Sequence, residues 1–170
     1  MNINSLVFES INKPKRYRVE GYIINKNKLI VGYVNNPQFT GYVIPGGGID
    51  NNEDNITALE REIKEEIAVQ IKNPKLLDSI YLKYYEIPNM TKSAQYYSNT
   101  FSGVDFKSYL CEFDSFLKNK SEFTIKEISF NEAISFFNKH SKNCLSRKDK
   151  YNYNKAIYSI ECINKIMNII

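Results

Sequence analysis

The chain has 170 residues and a mass of 19.8 kDa, with 42% hydrophobic and 25% charged residues and a net charge of +4. Those values suit one globular domain over 1–170 and exclude a disordered chain, and no apolar run reaches the roughly 20 residues of a membrane helix. The N-terminus lacks the basic, apolar and small-residue succession of a secretory signal, so a cytoplasmic location is expected.

In chain order, residues 1–15 read as a short leading segment. The cluster Lys13, Lys15, Arg16 and Arg18 reads as a solvated basic edge rather than a nucleic-acid surface. From Arg18, two β-rich runs flank the polar tetrad Asn25-Lys26-Asn27-Lys28, which suits a hairpin turn. Tyr42-Val43-Ile44 is a short extended piece entering Pro45, and Gly46, Gly47 and Gly48 then permit close backbone approach. Asn51 or Asn52 reads as an N-cap, with Glu53 and Asp54 in the first turn of a helix. Ile56, Leu59, Ile63 and Ile67 recur at helical spacing and should face the core, the pattern ends near Ala68, and Asn73-Pro74 makes a break.

Leu76 to Phe113 reads as three strands. Ser129-Phe130-Asn131-Glu132 fits a capping box before another helix. After a polar link over 141–150, an amphipathic helix at about 151–170 puts Ala156, Ile160, Ile163, Met167 and Ile170 on one stripe, broadened by Ile157 and Ile166. That stripe should pack onto the domain, with a homodimer contact as its second use. Cys111, Cys144 and Cys162 are too far apart for a metal motif and read as buried thiols, and His140 stands alone.

Glu62, Glu65 and Glu66 lie three and four residues apart and therefore share one side of the helix. Such a patch is either a solvated acidic face, with Lys64 and Arg61 as ion partners, or a site for a hard oxygen-preferring cation such as Mg²⁺ or Mn²⁺. Glu53 could accept a bidentate bond from Arg61 or approach the same metal. The glycine loop immediately before the helix favours the cation site.

Gly47, Glu53 and the run Arg61-Glu62-Ile63-Lys64-Glu65-Glu66-Ile67-Ala68-Val69 resemble the box that defines the Nudix hydrolase family. The pattern G-x5-E-x7-R-E-U-x-E-E-x-G-U, in which U is a bulky aliphatic residue, matches at every defined position except Ala68, where the family has Gly. The approach Gly41-Tyr42-Val43-Ile44-Pro45-Gly46-Gly47 is similar to the family's, with Tyr in place of Trp. The resemblance implies an α/β class fold: an α/β/α sandwich around a mixed sheet. It implies that Glu62, Glu65 and Glu66 bind a divalent metal together with the Gly46 carbonyl, that Glu53 is a helper carboxylate and that Arg61 orients it. It further implies hydrolysis of a small nucleoside diphosphate-X compound, with Glu53, Arg61, Glu65 and Glu66 in the catalytic set and either Glu66 or a loop glutamate completing proton transfer. Glu122 stands near that loop position, with Asp114 and Glu112 as rivals.

The base or sugar pocket has no signature. Tyr81, Tyr84, Tyr85, Tyr96, Tyr97, Phe101 and Tyr109 offer stacking faces but also suit strands, and residues 88–94 suit a lid. A nucleoside triphosphate or a nucleotide sugar such as ADP-ribose is the preferred substrate. The competing readings are a non-catalytic nucleotide-sensing Nudix domain and a diphosphoinositol or other polyphosphate hydrolase.

Overall fold

The computed structural model describes residues 13–85 and 91–170; residues 1–12 of the leading segment and 88–90 of the expected lid lie outside that range. Strands β1 (Lys15–Asn25) and β2 (Lys28–Asn35) pair antiparallel across Lys26 and Asn27. Both turn residues have positive φ, 45° and 62°, as a two-residue turn matched to the sheet's twist requires. Strand β3 (Thr40–Val43) extends β2, and β4 (Gly46–Gly48) lies against β1 with Gly46 opposite Glu20. Strands β5 (Val69–Lys83) and β6 (Gly103–Phe116) are antiparallel to each other, and β6 runs parallel to β1. Strand β7 (Thr124–Ile128) pairs with β2, completing a seven-stranded mixed sheet whose main order is β3-β2-β1-β6-β5.

The period-2 alternation of β1 sorts its side chains onto two cores. Val19 and Ile23 face helix α1 (Asn55–Ile67), meeting Ala58, Leu59, Ile63 and Ile67. Tyr22 faces the opposite layer, where Phe137, Ala156, Cys162 and Ile163 come from helices α3 (Phe130–Ser146) and α4 (Lys150–Ile169). The result is the expected α/β/α arrangement.

Between β5 and β6 the chain forms a further helix, α2 (Lys92–Thr100), so the expected three strands are two long ones and a helix. The Asn73-Pro74 break is absorbed as a bulge inside β5. Register shifts between Lys72 and Lys75, Asn73 takes φ 51°, and the bulge accommodates Pro74, which has no N–H to donate to the ladder.

Two boundaries near the C-terminus also differ from expectation. Ser129 caps α3 by accepting from the Glu132 N–H at 3.1 Å, but the Glu132 carboxylate accepts instead from the Tyr42 hydroxyl at 2.6 Å. The stretch read as a polar link is helical through Ser146, with Ser141 and Cys144 buried, and Asp149 then caps α4. The buried residues of α4 are Ala156, Tyr158, Ser159, Cys162, Ile163 and Ile166, while Met167 and Ile170 are exposed. The rotation follows from Glu20, a carboxylate 3% exposed that faces α4 and takes Lys155 at 2.7 Å. A buried charge left alone is far costlier than an exposed methionine, so Lys155 and Ser159 turn inward. All three cysteines are free and buried, and burial pushes the Cys111 thiol up to about 12. Among the described residues no helix is long and apolar enough to cross a membrane.

Candidate active site

Helix α1 starts later than the sequence suggests. Asn52 takes a left-handed conformation at φ 66°, the Glu53 N–H closes a turn onto the Asp50 carbonyl at 3.1 Å, and Asp54 is the N-cap. Asp54 Oδ1 accepts from the N–H groups of Ile56 and Thr57, both at 2.9 Å, which answers two of the helix's unpaired donors. Glu53 therefore precedes the helix rather than sitting in its first turn, and its carboxylate points back along the helix to Arg61.

Arg61 organises the acidic side. Its Nε and Nη2 donate to the two oxygens of Glu53, each at 2.9 Å, in a bidentate pair. Nη2 also donates to the Gly48 carbonyl at 2.9 Å, and Nη1 donates to Glu62 at 2.8 Å and to Glu65 at 3.5 Å. One guanidinium thus ties the glycine turn to three glutamates. Its bond to Arg61 holds the Glu53 carboxyl below the usual range, and the Glu53 bond in turn raises Arg61.

Glu66 lies deeper. Its Oε2 accepts the Gly46 N–H at 2.9 Å, and burial pushes its carboxyl up to about 7. The Gly46 bond and Arg18 pull it down, while Glu62 and Glu122 push it further up. The glycines make this approach feasible: a Cβ on Gly47 would overlap the Glu62 carboxylate. Of the three loop candidates, Glu122 lies at this site; its N–H donates to the Glu65 carbonyl at 3.1 Å and Phe123 N–H to the Glu66 carbonyl at 2.8 Å. Glu112 and Asp114 lie on β6, where Asp114 approaches Lys72 at 3.8 Å.

The C-cap falls on Ala68, at φ 52° and ψ 46°, so the departure from the family glycine lies at a left-handed position. Left-handed geometry costs alanine about 1–2 kcal/mol, but Ala68 is 3% exposed and its methyl contributes about 0.8 kcal/mol of burial. Glycine would also add unfolded-state freedom worth about 0.4–1 kcal/mol. Ala68→Gly should therefore leave the urea midpoint and turnover close to wild type; a large change in either would show that the cap places the glutamates.

Two contacts were not legible as part of the site. Asp50 lies 3.6 Å from Arg61 and donates its N–H to Glu53 at 3.1 Å. Arg18 donates to the Gly46 carbonyl at 3.2 Å, the oxygen expected to face a metal. The signal for Arg18 was the alternation of β1, which splits the basic cluster: Arg16 and Arg18 share the Glu20 face, and Lys15 takes the other, pairing with Asp105 at 3.3 Å. Among the described residues no three acidic, histidine or cysteine side chains converge closely enough to hold an ion, because Arg61 spreads over Glu62 and Glu65. The donor set nevertheless fits a hard divalent cation: oxygen ligands only, with mutual repulsion at Glu66 that such an ion would relieve.

A mixed sheet that presents a glycine turn to a glutamate-rich helix, with helices on both faces, defines an α/β/α sandwich of the Nudix type. The chain belongs to the Nudix family, whose NUDIX domain model matches residues 14–137. An RNA pyrophosphohydrolase of Pelagibacter ubique is 38% identical over 80 residues, 46% of this chain and 49% of that protein. The matched region thus spans about half the length of that curated relative. A NUDIX hydrolase from Nitrosomonas europaea superposes with a TM-score of 0.60 at 12% identity, covering 91% of this chain and 89% of its own. A MutT NUDIX hydrolase from Burkholderia pseudomallei gives 0.51 at 16% identity, covering 70% and 86%. Both structures establish the shared fold. Family members generally use divalent metals.

Proposed function

We propose that the protein hydrolyses a diphosphate linkage in a nucleoside diphosphate-X compound, a nucleoside triphosphate or a nucleotide sugar such as ADP-ribose, with Mg²⁺ as the working ion and Mn²⁺ as its substitute. The observation that carries this reading is the Gly46–Glu66 junction, where a half-buried carboxylate, a neighbouring glutamate pair and a guanidinium meet at the glycine turn. Glu62, Glu65 and Glu66 would hold the ion, which when bound neutralises the diphosphate and lowers the pKa of an attacking water. Arg61 ties Glu62 and Glu65 to Glu53 and the Gly48 carbonyl, and binding the ion would draw these two carboxylates off the guanidinium. The Gly46 N–H fixes one oxygen of Glu66 and thereby aims the other. Glu122 has no side-chain hydrogen bond among the described residues and is assigned to take the water's proton.

The test is a panel of nucleoside triphosphates, ADP-ribose, capped and 5′-triphosphorylated RNA and diphosphoinositol phosphates, assayed for phosphate or pyrophosphate release with and without Mg²⁺. Mg²⁺-dependent turnover of a nucleotide is expected. Tight binding with no turnover on any compound would make this a nucleotide-sensing domain instead, and turnover confined to the inositol compounds would move the substrate class.

A further inference from the structure

Two arginines of β1 stand without an ion pair. Arg16 and Arg18 project from the same face of β1, and neither makes an ion pair among the described residues, whereas Lys15, Arg61, Lys72, Lys155 and Lys165 each do. The acidic group beside them on that face, Glu20, is already engaged: it takes Lys155 and Ser108 at 2.7 Å each and Tyr22 at 3.2 Å. Arg18 reaches the Gly46 carbonyl, next to Glu66, and its buried Nε has no partner. Arg16 lies over the Tyr97 ring, 3.7 Å from its centroid, and donates to the Tyr84 hydroxyl at 3.1 Å. Tyr84 in turn packs on Tyr151 of α4 with centroids 5.0 Å apart.

All five side chains are half-buried, so the two positive charges are partly removed from water without an ion pair among the described residues, Glu66 acting on Arg18 only through space. Guanidinia in that state are suited to phosphate, which they can meet with paired N–H donors. Their spacing along the strand, about 6.6 Å for two residues, carries the row from the glycine turn outward to the three tyrosines. A ligand anchored at Arg18 by a phosphate would meet aromatic faces at its other end, and every nucleobase has a π-face to offer them.

We propose that this row binds the nucleoside 5′-phosphate half of the substrate, with Arg18 pairing the phosphate beside the scissile linkage and the base lying against Tyr84, Tyr97 and Tyr151 next to Arg16. The assignment rests on the hydrolytic reading above and adds to it the residues that select the nucleoside. Arg18 exchanges its bond to the Gly46 carbonyl for the phosphate, which frees that oxygen toward the carboxylate side.

Calorimetric titration of metal-free protein with GMP and AMP tests the row without relying on turnover. Arg18→Gln should weaken binding of the preferred monophosphate about tenfold or more, and Arg18→Lys should recover part of it. Tyr97→Leu and Tyr151→Leu should each weaken monophosphate binding and raise KM about tenfold for the best nucleotide of the panel, with kcat within about twofold and inorganic pyrophosphate binding unchanged. Unfolding midpoints for each variant, with Arg16→Lys as a milder change, separate a lost contact from a lost fold. Absence of monophosphate binding to wild type, equal binding by Arg18→Gln, or an unmoved KM in both folded tyrosine variants overturns the proposal. A wild-type protein that turns over no nucleotide would sink the hydrolytic reading, and the monophosphate titration would still decide the row.

Discussion

Glu65→Gln and Glu66→Gln are each expected to lower kcat by about a hundredfold or more, since each removes a full negative charge from the set that would hold the ion. Glu66→Gln should do so without loss of stability. An amide oxygen can still accept the Gly46 N–H, and the substitution removes a half-buried carboxylate that Glu62 and Glu122 repel. The same burial makes the wild type's stability depend on pH. The Glu66 carboxyl is raised from 4.5 to about 7, so the folded state holds its proton more tightly than the unfolded state does. The stability from that proton is fully present below pH 4.5 and is lost as pH rises through about 7, an effect on the order of 3 kcal/mol. In metal-free protein the difference in Tm between Glu66→Gln and wild type should widen in the variant's favour from pH 5 to pH 8. Parallel profiles would mean that Glu66 is not held in the environment described, and wild-type turnover in both variants would refute the metal assignment.

How much of this was readable in advance depended on whether the information was local. The acidic helix was legible because its period, its apolar face and its glutamate spacing all lie within one stretch, and the hairpin at Lys26-Asn27 was legible for the same reason. The N-cap was misplaced because Asn51, Asn52 and Asp54 all have capping side chains, and only the left-handed turn at Asn52 selects Asp54. Helix α2 was missed because Tyr96, Tyr97 and Phe101 read as strand residues, whereas its docking relies on Arg16, far away in sequence. The register of α4 depended on a buried carboxylate in β1, and the place of Arg18 in the site depended on which face of that strand meets the glycine turn. Both are facts about partners, which periodicity within one element does not carry.

Gly46→Ala is expected to be the most damaging change of a single methyl group in the protein. Gly46 has φ 156°, and an added Cβ would meet the Val19 carbonyl and lie 2.6 Å from the Glu20 Cα. Both are backbone atoms of the central strand β1, itself locked to β6 from Lys15 to Ile24, so no side-chain rotation relieves the overlap. The turn must move instead, breaking the Gly46 pairing with Glu20 and the N–H bond to Glu66. We expect a loss of about 3 kcal/mol or more, read from the urea midpoint at constant m-value, together with loss of metal-dependent turnover. Gly48→Ala is the matched control: a Cβ there meets nothing within 4 Å, so the same methyl added two residues later should change neither stability nor rate appreciably. If the two variants behaved alike, the tight seat of Gly46 on β1 would not be what holds the turn against Glu66. If Gly46→Ala alone fails, close backbone packing at the sheet edge is what brings the carboxylate of α1 to the glycine turn.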